Sequence, residues 1–183
     1  MKHVRGYGID YHLIEPYRPQ QNRAETVIRE VKKRWFQQMV KRNVPKRLWD
    51  YGIVWACEIM SLTSNSSFNL DGRTPMEQIT GETPDISEYL DFGFYDWIWY
   101  KDNAGLGENK IGRWLGVAHR VGNLMSYWIL TLTGHVISRT TVQRVTNLEM
   151  STDEVKAKCK EYDHRISDLL KDANHIIPQG GDL

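Results

Sequence analysis

Residues 8–35, Gly-Ile-Asp-Tyr-His-Leu-Ile-Glu-Pro-Tyr-Arg-Pro-Gln-Gln-Asn-Arg-Ala-Glu-Thr-Val-Ile-Arg-Glu-Val-Lys-Lys-Arg-Trp, carry the chain from an extended approach into an amphipathic helix. Pro16 and Pro19 keep the approach extended, because proline fixes its own φ and turns the preceding residue away from helical geometry. Asn22 is the expected cap: its side chain accepts from the backbone three residues on, and Glu25 at that position reaches back to the cap. From Ala24 the apolar residues Val27, Ile28, Val31, Trp35 and Met39 recur at steps of three and four, which predicts a helix to about Arg42. At about 100° per residue, Glu25, Arg29, Lys32 and Phe36 share the neighbouring face. A carboxylate thus opens the helix with a basic row behind it.

The charge is uneven around this helix. Residues 1–49 hold 12 Lys and Arg against 4 Asp and Glu, while residues 50–183 hold 12 against 19, so a net charge of +1 conceals a basic segment joined to an acidic one. Such asymmetry is what a nucleic-acid-facing segment looks like; the alternative is that Arg29, Lys32, Lys33, Arg34, Lys41 and Arg42 form a solvated helix face. No apolar run approaches membrane-spanning length, so an intracellular protein without a membrane partner is expected. Cys57 and Cys159 are far apart and have no paired ligands at metal spacing, which excludes a disulfide framework.

Beyond the first helix the chain alternates turn and element. Pro45 suits the start of a second helix, with Trp49, Ile53, Ala56, Cys57 and Met60 at helical spacing to about Leu62, and Trp49 and Trp55 as packing residues. Asn65 to Gly72 reads as a polar loop. Thr74 caps a short helix with Pro75 at its first position, Glu77 closing a capping box and Gly81 ending it. From Phe92 the period changes to that of strands. Residues 94–100, 112–119, 127–132 and 135–139 are short, rich in aromatic and β-branched side chains, and separated by glycine-bearing turns, which predicts four or five strands in a small antiparallel barrel. Trp97, Trp99, Trp114 and Trp128 are expected mostly inside, since small barrels need large aromatics; an exposed pair would mark a groove. Ser151 and Glu154 form a further capping-box pattern before a helix with Val155, Cys159, Tyr162, Ile166 and Leu169 on one side, to dock on the barrel or on another copy.

Gly-Ile, six residues, then Pro-Tyr-Arg-Pro-Gln-Gln-Asn-Arg-Ala-Glu resembles the end of the catalytic core of copia-type retrotransposon integrases. The tryptophan-bearing second helix and Gly72-Arg-Thr-Pro-Met-Glu-Gln-Ile-Thr-Gly-Glu-Thr-Pro-Asp-Ile-Ser resemble the same family in the same order. Arg23 stands where the family usually has glycine, and the spacing to the glutamate is one residue shorter. The resemblance implies an α+β chain: the last strand and helices of a ribonuclease H-like core over 1–80, a linker over 81–91, a small β-barrel over 92–148, and a helix and tail over 149–183. It implies that Glu25 is the third member of an Asp, Asp, Glu triad holding Mg²⁺ or Mn²⁺, and that Arg23, Arg29, Lys32 and Lys33 face DNA, in the nucleus. The family's two aspartates lie further upstream than the 24 residues before Glu25, and Asp10 matches a non-catalytic position. The expectation is therefore the carboxy-terminal part of an integrase, inactive alone, with DNA, the rest of a polyprotein or further copies of itself as partners. The alternative is a non-catalytic nucleic-acid or protein-binding module derived from a retroelement.

Overall fold

The computed structural model describes residues 23–65, 70–102, 107–119, 121–122 and 124–170. The expected strand over 4–14 and the Asn22 cap lie outside them. The helices are α1 (Arg23–Lys41), α2 (Trp49–Leu62), α3 (Pro75–Thr80), α4 (Ser87–Leu90), α5 (Asn147–Ser151) and α6 (Asp153–Leu170). The strands are β1 (Trp97–Tyr100), β2 (Lys110–Val117), β3 (Tyr127–Leu130), β4 (Val136–Arg139) and β5 (Val142–Arg144), giving an α+β fold.

The two long amino-terminal helices pack through a glycine. A Cβ on Gly52 would lie 2.9 Å from Trp35 Cδ1 and 3.1 Å from Met39 Sδ, so its bare backbone lets α1 close on α2. The buried line of α2 is accordingly Gly52, Ala56 and Met60. This corrects the expected packing role of Trp49: it shares the side of Gly52 and Ala56 by helical spacing but stands at the first residue of α2, where it is 54% exposed, whereas Trp55 stacks on Phe94 at 5.6 Å between ring centroids. Pro45 precedes a single 3-10 turn over Lys46–Leu48, and α2 begins only after it. In α1, Met39 is buried and Trp35 partly so, but Ile28 is 52% exposed, so the stripe is covered only toward its carboxy-terminal end.

Thr74 and Glu77 form the expected capping box of α3, and Gly81 ends it in left-handed geometry at φ 79°, which favours glycine. The strands make one antiparallel sheet in the order β4-β3-β2-β1-β5. It is open, not a closed barrel, since β4 and β5 are its two edges. Flat, those edges would stand about 19 Å apart. Arg139 and Val142, three residues apart, can be separated by at most about 11 Å. The sheet is therefore coiled until its edges approach at one end. β1 starts at Trp97 and not Phe94, because Gly93 to Asp96 form a turn in which Gly93 N–H donates to Asp96 Oδ2 at 2.9 Å.

Each face of the sheet has its own core. Ile98, Tyr100, Trp114 and Ile129 line one with Phe92 and Tyr127. The other gathers Leu115 and Leu130 from the sheet, Met39, Val44 and Leu48 from the helical end, and Val155, Cys159, Tyr162 and Ile166 from α6. The docking of α6 on the sheet is thus borne out; Tyr162 Oη donates to Leu130 O at 2.7 Å, and Arg113 pairs with Asp163 at 2.9 Å. Leu169, expected on the inner side, is 47% exposed. The Ser151 box does not form. Thr146 and Glu149 make the box instead and open α5, while Glu154 pairs with Lys158 at 2.7 Å. Of the four sheet tryptophans, Trp114 is fully buried and Trp97, Trp99 and Trp128 are half-buried against the α6-side core.

Candidate nucleic-acid interface

α1 carries the residues singled out by sequence. Glu25 lies in its first turn, where the helix dipole favours a carboxylate, and is exposed. Arg29 and Lys32 are exposed one and two turns on, and Lys33 is exposed beside them. Arg23 opens the helix. Glu25, Arg29 and Lys32 therefore share one solvent-facing side, next to the Trp35–Met39 side that closes on α2. Lys33 sits about 40° round from Arg29, at the border of a second surface.

That second surface is a groove of about 540 Å³ between α1 and α2, lined by Glu30, Lys33, Arg34, Gln37 and Gln38 from the first helix and by Trp55, Ala56 and Ile59 from the second. Arg34 reads in the sequence as one more solvated cation. Its neighbourhood with Trp55 depends on the close approach at Gly52, which no local pattern announces.

The carboxy-terminal end of α1 is fixed to the sheet by a buried carboxylate. Asp96, 7% exposed, accepts from Arg42 at 2.7 Å, from Arg144 at 3.4 Å and from the Gly93 N–H. The orientation of the basic helix relative to the sheet is set by this clamp and by the shared core. A further cluster, unforeseen because its members are 30 or more residues apart, joins Glu58 of α2, Tyr89 of α4 and His119 after β2. Tyr89 Oη donates to Glu58 Oε2 at 2.9 Å, and His119 Nε2 lies 3.0 Å from Glu58 Oε1. Burial and the Glu58 charge push the Tyr89 hydroxyl well above its ordinary range, so it stays a donor.

No family model, curated protein or solved structure matches this chain. Its function is read from the residues and their geometry. Two metal ions about 3.5–4 Å apart need carboxylates from several elements. Among the described residues no three His, Cys, Asp or Glu side chains come together, so these residues do not make a two-metal centre; Asp10 and Glu15 lie outside them. Also among the described residues, no helix is long and apolar enough to cross a membrane. Cys57 and Cys159 are free thiols.

Proposed function

We propose that the chain is the carboxy-terminal part of a copia-type retrotransposon integrase, with α1 and α2 as the last helices of its ribonuclease H-like core and the open, coiled sheet in the place of the small domain that follows. In this reading it holds DNA in the nucleus. The observation that carries it is the common exposure of Glu25, Arg29 and Lys32 on one side of α1, beside the Trp35–Met39 side that packs on α2. Arg29 and Lys32 meet phosphates, which gives position and affinity without sequence selection. Enzymes of this kind use two Mg²⁺ or Mn²⁺ ions. The described residues do not supply their site, so no chemical step is assigned to this chain, and Glu25 is one ligand awaiting an upstream part.

A second reading is favoured by the core that α1 shares with the sheet and α6. Such a unit serves equally as a non-catalytic nucleic-acid or protein-binding module. Fluorescence anisotropy with a labelled duplex tests what both nucleic-acid readings require. Each lost phosphate contact lowers the salt slope by about 0.9, so R29A/K32A lowers it by about 1.8. An unchanged slope, or no binding by the wild-type chain, overturns the DNA-holding role.

A further inference from the structure

We infer that the groove between α1 and α2 is a phosphodiester-binding site that continues the Arg29–Lys32 surface round the helix; this rests on the DNA-holding reading. The wall offers an excess of donors. Lys33 and Arg34 bring two positive charges, Gln37 and Gln38 bring carboxamide N–H groups, and Glu30 is the single acid lining it. Neither cation has an ion-pair partner among the described residues, whereas Arg42 on the same helical segment is committed to Asp96.

Trp55 supplies the second observation. It lines the groove, and its indole N–H is buried without an acceptor. An indole nitrogen is a donor only, and a buried donor left unmade is unfavourable. An anionic oxygen in the groove gives Lys33 and Arg34 a counter-charge, and Trp55 in the groove wall, with its N–H otherwise unpaired, reports its arrival. At about 100° per residue, Lys32, Arg29, Lys33, Gln37 and Arg34 follow one another round α1, so a nucleic-acid backbone on the outer face leads into the groove through Lys33.

The test uses the full chain, a labelled duplex and inorganic pyrophosphate. In ¹H–¹⁵N spectra the seven tryptophans give separate indole signals, and W55F identifies that of Trp55. The expected result is that duplex shifts this signal, that K33Q/R34Q lowers the salt slope by about 2 and abolishes the shift, and that R29A/K32A lowers the slope while leaving the shift in place at saturating duplex. An unmoved Trp55 signal together with an unchanged slope for K33Q/R34Q, while R29A/K32A still loses slope, overturns the groove and leaves the outer face standing. A wild-type chain that binds no duplex overturns both. A Trp55 shift with pyrophosphate but not with duplex assigns the groove to a free phosphate and overturns the nucleic-acid occupant.

Discussion

Replacing Trp114 separates the value of a large buried ring from that of its N–H. Trp114 is fully buried, stacks on Phe92 at 5.8 Å and meets Tyr127 and Tyr89 at 6.3 and 6.5 Å, yet its indole nitrogen has no acceptor. Truncation to alanine removes the ring from the centre of the Phe92-side core and lowers stability by about 3–5 kcal/mol. Phenylalanine keeps an aromatic ring in contact with the same partners. It also removes a buried donor whose lack of a partner is unfavourable by about 1–3 kcal/mol, which offsets most of the lost volume. Trp114→Phe should therefore fall within about 1 kcal/mol of wild type. Urea unfolding followed by far-UV circular dichroism measures both variants without reliance on tryptophan emission, with equal slopes licensing the comparison. A Trp114→Phe loss as large as that of Trp114→Ala would refute the reasoning and show that the indole N–H is satisfied.

Other residues give independent checks. Tyr162→Phe removes the hydroxyl that donates to Leu130 O in a fully buried setting, and should lower stability by about 1–3 kcal/mol in the same urea assay. Gly112→Ala brings a Cβ within 2.9 Å of Leu130 O and 3.0 Å of Ile129 Cγ2 at a β2–β3 crossing that cannot yield, so the thermal midpoint should fall by several degrees. The Thr146 amide and hydroxyl hold the Glu149 carboxyl below its ordinary value of 4.5. A depressed acid contributes stability above its unfolded value and loses it as pH falls through the folded one. Wild type should thus lose more stability than Glu149→Gln between pH 6 and pH 3, read from urea midpoints at each pH. Joined to a chain that supplies the first half of an integrase core, Glu25→Gln should abolish strand transfer and leave duplex binding intact; retained transfer would remove Glu25 from the catalytic set.

Much of the architecture is legible in the sequence because it rests on period and caps. The 3.6-residue recurrence from Val27 to Met39 marks α1, Thr74 and Glu77 mark α3, and the aromatic runs mark the strands. Errors fall where two local patterns compete or where packing decides. Thr-Asn-Leu-Glu and Ser-Thr-Asp-Glu both fit a capping box, and the first prevails: Glu149 also accepts from the Trp99 indole at 3.2 Å, a contact fifty residues distant. Trp49 reads as core because it shares the side of Gly52 and Ala56, but at the first residue of α2 it is 54% exposed. In the candidate interface, Glu25, Arg29 and Lys32 follow from helical spacing alone. The groove does not, since Arg34 and Trp55 come to line it together only where α1 and α2 close at Gly52. Nor does the Asp96 clamp, whose partners Arg42 and Arg144 come from opposite ends of the chain.

The most direct test of the integrase reading is to map the 5′ end of the transcript and determine the reading frame upstream of Met1. The account predicts an open frame that continues upstream through two aspartates able to complete a metal site with Glu25. A transcript whose translation begins at Met1, with no such frame ahead of it, would contradict the assignment to an integrase and leave a binding module as the function of the chain.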